Sequence, residues 1–314
     1  MGGGPESGGT VLIMKSLIIG YGSIGSRHAN IISDMDGFIE VAILSSQKNL
    51  PYRTITNLKD ISAFDPDYIV IASSTSLHFE QLKFLEENFA GKKILVEKPL
   101  FQQFNQLEVS KNSVYIGYNL RFHPMIKRIK DTCTGRKLWS VYAFCGSYLP
   151  DWRPGRDYRE TASAKKATGG GVLLDLSHEL DYIQWIAGDI FPKQIYNEKL
   201  SNLDIGTDDF LMLNGETSSG AKLHIGLNYF TRKPIRQIII DGEGVSIQAD
   251  LITNTMNVNM DEEINDYTWP EIEQNYTYNA QHHAIINSDC ADICTYSEGI
   301  RTMKLIDYIK SNLS

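Results

Sequence analysis

Lys15-Ser16-Leu17-Ile18-Ile19-Gly20-Tyr21-Gly22-Ser23-Ile24-Gly25 stands near the start of a chain of 314 residues. Lys15–Ile19 reads as a short apolar strand, and a helical stretch runs from Ile24 to about Asp34. Between them, Gly20, Gly22 and Gly25 keep the spacing of a dinucleotide fingerprint. The first glycine permits a tight turn, the second lets backbone approach a pyrophosphate, and the third allows close contact of helix and strand. Phosphates then rest on a helix N-terminus, where unpaired N–H groups and the dipole favour anions. A strand before the glycines and a helix after them favour this reading over a merely tight turn. Tyr21, Ser23 and Ile24 join the glycines as expected cofactor contacts.

The pattern repeats downstream. Strands are expected at Phe38–Ser45, Tyr68–Ala72, Ile94–Glu97 and Ser113–Tyr118, with a helix at Leu77–Phe89. Strands alternating with helices indicate a doubly wound parallel sheet. After Tyr118 the pattern changes. Helices are expected at Pro124–Asp131 and Leu173–Ala187, with long strands at Leu138–Tyr148, Phe210–Glu216, Lys222–Phe230, Arg236–Asp241 and near Val245–Asp250. Such runs favour an antiparallel or mixed sheet. Two helices, near Tyr276–Cys290 and Ser297–Asn312, close the chain. The fold is therefore α/β, with residues 14–118 as a dinucleotide-binding domain and 119–314 as a substrate and oligomerisation domain. Residues 1–13 read as a floppy leader.

Hydrophobic residues make up 42%, charged residues 22%, and the net charge is −8, which fits a soluble globular protein. Without a long basic run, nucleic acid and anionic membranes are poor partners. No apolar segment approaches bilayer length, and the leader lacks the features of a secretion signal. The four cysteines form no Cys-x-x-Cys and no cluster with histidine, so no metal is expected. Reduced thiols in a cytoplasmic protein are the expectation.

Cofactor selectivity rests on the end of the second strand. A carboxylate there takes the ribose hydroxyls in NAD enzymes. Here the residues are Ser45, Ser46, Gln47 and Lys48. Nothing repels a 2′-phosphate, and Lys48 attracts one unless it is a solvated loop residue. The reading leans to NADP over NAD. The loop Ala72-Ser73-Ser74 and His78 are the next expected cofactor contacts, with a helix cap as the other reading of His78.

Lys93-Ile-Leu-Val-Glu97-Lys98-Pro99-Leu100 delivers a carboxylate and an ammonium at the carboxyl end of a buried strand, where ligands bind in such sheets. Pro99 cannot donate to a ladder and ends the strand. Lys98 is expected as a donor to a substrate oxygen or a ribose, with Glu97 beside it. Further on, Gly169-Gly170-Gly171 allows close approach of backbone to a ligand. Asp175, His178 and Asp181 then fall on one helical face. His178 is the candidate general acid/base and Asp175 its orienter or a substrate ligand. An ordinary helix histidine paired to either aspartate is the plainer alternative.

Together these residues resemble the Gfo/Idh/MocA oxidoreductases. The likeness rests on the glycine turn, Glu97-Lys98-Pro99, the Gly169–Gly171…Asp175…His178…Asp181 segment and the Ser297–Ile309 helix. It implies a Rossmann domain followed by an α/β domain whose open, mainly antiparallel sheet supports a homodimer or homotetramer. It implies NAD(P)-dependent oxidation or reduction of sugars, cyclitols or sugar nucleotides, with Lys98 and His178 in the catalytic centre and Asp175 beside them. The family's usual pattern separates that aspartate and histidine by four positions; here the separation is three. Both spacings keep one helical face.

Asn119, Arg121 and His123 follow the fifth strand, and Trp152, Arg153, Arg156 and Tyr158 precede the triple glycine. Aromatic faces suit a sugar ring and guanidinium forks suit a carboxylate or phosphate, so these are the expected substrate contacts. The arginines could instead pair with acidic residues between subunits. The subgroup look is similar to enzymes of bacterial surface-sugar pathways. The expected function is hydride transfer between nicotinamide and a sugar, sugar nucleotide or acidic sugar. Two other readings keep the cofactor: a redox-neutral epimerase, eliminase or hydrolase that recycles it, and a non-catalytic dinucleotide sensor.

Overall fold

Residues 13–261 and 263–312 are described in a computed structural model of the chain, so most of the expected leader lies outside the described residues. Strands β1 (Met14–Ile19), β2 (Phe38–Leu44), β3 (Arg53–Ile55), β4 (Tyr68–Ile71), β5 (Lys93–Val96) and β6 (Ser113–Ile116) pair in parallel, in the order β3-β2-β1-β4-β5-β6. Helices α1 (Ser23–Ser33), α2 (Ile61–Phe64) and α3 (His78–Asn88) connect them. Leu17, Ile18 and Ile19 are fully buried, as are Tyr68 to Ile71, because a parallel sheet is covered on both faces. The strand order reverses between β1 and β4, which opens a crevice at the carboxyl ends of those strands.

Helix α4 (Pro124–Cys133) leads into a second sheet. Its strands are β7 (Leu138–Gly146), β8 (Ile190–Glu198), β9 (Phe210–Thr217), β10 (Lys222–Asn228), β11 (Ile235–Gly242), β12 (Val245–Asp250), β13 (Thr255–Met260) and β14 (Glu263–Thr268). Among the described residues the order is β14-β13-β12-β11-β7-β10-β9-β8, and only β7 and β10 run parallel. Val141, Ala143, Ile225, Ile238 and Ile240 line its buried face. On the other face Tyr142 and Ile239 sit side by side in register, both exposed.

The expected single helix over Leu173–Ala187 is two. A short α5 (Val172–Asp175) ends at Leu176, and α6 (His178–Ala187) starts after Ser177. The chain then returns to the first sheet. Helix α7 (Tyr276–Asn287) buries Ile285 with Ile18, Ile32 and Val70 against that sheet's face. Strand β15 (Cys294–Thr295) pairs antiparallel with β6, and α8 (Tyr296–Ser311) closes the fold behind a Thr295–Glu298 capping box. All four cysteines are free. No helix among the described residues is long and apolar enough to cross a membrane.

One buried arginine bolts these parts together. Arg121 follows β6, and its Nε and Nη2 donate to the two carboxylate oxygens of Asp181 on α6 at 2.9 and 2.8 Å. Its Nη1 donates to Glu298 Oε1 on α8 at 3.0 Å, and its guanidinium lies against the Trp185 ring. This corrects the expected substrate role: the fork is occupied within the protein and the side chain is 2% exposed. Removing one partner of a buried pair leaves the other charge uncompensated, at a cost of about 3–5 kcal/mol. Arg121→Met should therefore lower unfolding free energy by about that amount, moving the urea midpoint with the denaturant slope unchanged.

Candidate active site

The glycine turn meets the steric demands of a pyrophosphate cradle. Gly20 has φ +98°, and a Cβ there would lie 2.7 Å from the Ser73 backbone. A Cβ on Gly25 would lie 2.1 Å from the Gly20 carbonyl oxygen. Both glycines are required by the protein's own packing. Gly22 differs: a Cβ there meets nothing within 4 Å, so its backbone fronts open space at the start of α1. That helix has no side-chain cap and no acidic residue in its first turn, leaving its N–H groups and dipole to an anion. The residues present fit a dinucleotide phosphate.

Around this cradle, Ser23 is exposed while Tyr21 and Ile24 are half-buried. Gln47 donates to the Tyr21 carbonyl at 3.0 Å and, through its N–H, to Ser45 Oγ at 3.1 Å. Ser46 and Lys48 are exposed beyond it. Past β4, Ala72 is buried, Ser73 Oγ donates to Gln81 at 2.7 Å, and Ser74 is exposed.

Two expected cofactor contacts are turned elsewhere. His78 is buried, with Nδ1 3.2 Å from the carbonyls of Pro99 and Leu100 and Nε2 3.2 Å from that of Ser73. Burial pushes its pKa below the ordinary imidazole value. It braces the turn after β5 against the loop after β4. Glu97 is also buried: its Oε1 faces His28 Nε2 at 2.9 Å, and its Oε2 accepts the Lys98 N–H at 3.1 Å.

Lys98 itself leaves the parallel sheet and reaches the second unit. Its Nζ donates to the Asp175 carbonyl at 2.6 Å, at the break between α5 and α6. His178 is the first residue of α6, with the Tyr118 ring edge-on at 5.6 Å. Tyr118 O–H donates to Ser177 Oγ at 3.3 Å, steadying that turn. Burial, then the charges of Lys98 and Arg236, push the His178 pKa well below the ordinary imidazole value. The ammonium and the imidazole therefore share one site.

Asp175 does not orient His178. Its carboxylate accepts the Tyr229 O–H at 2.6 Å, whereas His178 Nδ1 is buried without a hydrogen-bond partner. The break at Leu176–Ser177 separates the two residues that a continuous helix would have stacked. Asp181, expected on the same face, belongs to Arg121. The triple glycine serves protein contacts: a Cβ on Gly170 would strike the Ala162 carbonyl at 2.2 Å, and one on Gly171 would strike Asp208 at 2.2 Å.

Other expected substrate contacts are divided. Asn119 is buried and donates to Thr277 on α7 at 2.8 Å. His123 caps α4, its Nδ1 accepting the Met125 N–H at 3.2 Å, with its pKa pushed down to about 4 mainly by burial. Both are internal braces. Trp152 stands edge-on to Tyr229 at 5.2 Å and donates to Ser147 at 2.8 Å, close to the Asp175 partner. Tyr158 is half-buried and accepts the Asp204 N–H at 3.1 Å, while Arg153 and Arg156 are exposed.

Two residues went unread in the sequence. Tyr229 lies just past β10 and holds Asp175. Arg236 donates to Glu179 Oε1 at 2.7 Å, and its Nη2 is buried without a partner beside the histidine. The signal for Arg236 was present: it shares the buried face of β11 with Ile238 and Ile240, where a charge has to have a purpose.

Among curated proteins, the chain is 26% identical over 190 residues to the rhizopine catabolism protein MocA of Rhizobium meliloti, covering 54% of this chain and 56% of that one. It is 27% identical over 136 residues to levoglucosan dehydrogenase of Pseudarthrobacter phenanthrenivorans, covering 40% and 34%. The match thus spans about half or less of those relatives' length. Among solved structures, the WlbA dehydrogenase of Bordetella pertussis, in complex with NADH and UDP-GlcNAcA, superposes with a TM-score of 0.74 at 17% identity, over 95% of this chain and 96% of that one. A levoglucosan dehydrogenase in complex with NADH and levoglucosan gives 0.80 at 16% identity, over 95% and 96%. The family model described as an oxidoreductase family with an NAD-binding Rossmann fold matches residues 14–113, and that of the GFO/IDH/MocA C-terminal domain matches residues 127–248. With both halves matched, the chain belongs to the Gfo/Idh/MocA oxidoreductase family.

Proposed function

We propose that the protein is an NAD(P)-dependent dehydrogenase or reductase of a sugar, sugar nucleotide or acidic sugar, with residues 14–118 holding the dinucleotide and 119–314 the substrate. The observation that carries this reading is the hydrogen bond of Lys98 to Asp175 at the turn that begins α6 with His178, close enough for the ammonium to disfavour protonation of that ring. A bound nicotinamide supplies the acceptor or donor of hydride. The protein supplies position and proton handling.

His178 takes the hydroxyl proton as the alcohol is oxidised and returns it in reduction. A depressed pKa suits this, because the ring is neutral and ready to accept at neutral pH. Lys98 spends one N–H on the Asp175 carbonyl and keeps two for the substrate oxygen, where negative charge develops as its proton leaves. Trp152 offers a flat face to the sugar ring, and exposed Arg153 and Arg156 offer forks to an anionic substituent. Exposed Lys48, with no carboxylate from Ser45 to Lys48, supports NADP as the preferred dinucleotide. The similar proteins that act on levoglucosan or bind UDP-GlcNAcA support a carbohydrate substrate.

Three outcomes test this reading. Lys98→Ala and His178→Ala should each cut kcat by at least about a hundredfold on the active sugar, with dinucleotide Kd changed little and NADPH bound more tightly than NADH. Wild-type turnover in both variants sinks the assignment. A titration of the His178 ring by NMR should place its pKa below 6.5, and Lys98→Met should raise it, because a repelling charge is gone. The acid limb of oxidation then lies below pH 6.5, since protonating this ring removes the base. We also place the contact between copies on the outer sheet face; Tyr142→Glu with Ile239→Lys should convert a dimer or tetramer to monomer in sedimentation.

A further inference from the structure

Four side chains outside that chemistry form one buried, hydrogen-bonded line. Tyr68 Oη lies 2.8 Å from His282 Nδ1, His282 Nε2 lies 2.8 Å from His28 Nδ1, and His28 Nε2 lies 2.9 Å from Glu97 Oε1. Tyr68, His28 and His282 are fully buried and Glu97 is 7% exposed. They come from β4, α7, α1 and the end of β5, which no local motif connects.

With the Glu97 carboxylate as the acceptor, counting donors and acceptors gives one arrangement in which both rings are neutral. An ionised carboxylate only accepts, so His28 Nε2 carries its proton. His28 Nδ1 then accepts from His282 Nε2, and His282 Nδ1 accepts from the Tyr68 hydroxyl. Each atom facing along the line is then satisfied. Burial and the neighbouring His28 push the His282 pKa well below the ordinary imidazole value, which fits a neutral ring. The far end at Tyr68 is sealed from solvent, so the line is not a path for protons to bulk water. It ends instead in a fixed carboxylate, whose second oxygen accepts the Lys98 N–H at 3.1 Å.

We infer that Tyr68, His282 and His28 are positioning residues that act through Glu97 to hold the Lys98 backbone where its ammonium can meet a substrate oxygen. This rests on the role proposed above for Lys98. The line also crosses from the cofactor helix α1 to α7, so the lysine's placement depends on a segment almost two hundred residues away from it (Lys98 to His282). Small displacements of a reacting group cost about a hundredfold in rate.

The test is a set of three variants. His282→Leu should lower kcat by about 10- to 100-fold, with sugar KM and dinucleotide Kd, read by fluorescence quenching, within about threefold. His282→Gln should recover most of the loss, since its amide can donate to His28 and accept from Tyr68. Tyr68→Phe, which deletes one oxygen, should lower kcat by a few-fold and covers the case in which His282→Leu does not fold. A folded His282→Leu or Tyr68→Phe enzyme with unchanged kcat overturns the inference. So does a Kd for dinucleotide that rises in step with the loss of kcat, because the line would then serve α1 rather than Lys98. Turnover that survives Lys98→Ala removes the proposed function itself; turnover that needs Lys98 but ignores this line removes only the positioning role.

Discussion

The ammonium of Lys98 resting on the carbonyl of Asp175 is the contact on which the site depends. A half-buried lysine needs oxygen partners, and a carbonyl inside a continuous helix is already engaged by an N–H one turn on. Here the helix breaks. The Glu179 N–H bonds the Leu176 carbonyl, so the Asp175 carbonyl is left at the end of α5. Carbonyls at a helix end are unpaired and favour a cation. The break that frees Asp175 also starts α6 at His178. One local irregularity thus supplies both the seat for the lysine and the place of the imidazole.

The charges around this pair are arranged to keep the ring neutral. Lys98 and Arg236 both repel a proton from His178. Each cation is answered by an acceptor that is not the histidine: the Asp175 carbonyl for Lys98, the Glu179 carboxylate for Arg236. The Asp175 carboxylate, which would have favoured imidazolium, is engaged by Tyr229. A nearby carboxylate raises a histidine's affinity for protons and nearby cations lower it, so diverting Asp175 and placing Arg236 act in the same direction.

Much of this was legible in the sequence, for reasons that lie in the backbone. Gly20 and Gly25 were legible as a tight strand-to-helix turn because the demands on them are steric and local. Lys98 is legible because Pro99 must end its strand at the ligand edge. Polar residues near that edge were harder. Glu97, His78, Asn119, Arg121 and His123 all read as contacts for a ligand, yet each faces protein. For Glu97, Asn119 and Arg121 the partners lie far along the chain; Asp181 and Glu298 are 60 and 177 residues from Arg121. Spacing says that a side chain is near a site, not which way it turns. Strands β8, β13 and β14 escaped notice because they lie at the sheet's margins, where polar residues on the exposed face and Pro192 blur the alternation.

The order of the chain adds a last constraint. Leu17 and Ile19 of β1 belong to the same apolar cluster as Val141, Ile225 and Ile240 of the second sheet. The opposite face of the parallel sheet is covered by α1 together with Ile285 and Ile293 from the returning segment. The dinucleotide cradle is therefore framed by helices from both ends of the sequence, and the cleft between the sheets is set by a core that neither half completes alone. Arg121 adds to this, tying the end of β6 to α6 and α8 at once. Lys98 spans the join between the two sheets with its hydrogen bond to Asp175. The placement of Lys98 and the burial of the final helices are, on these contacts, one problem in packing.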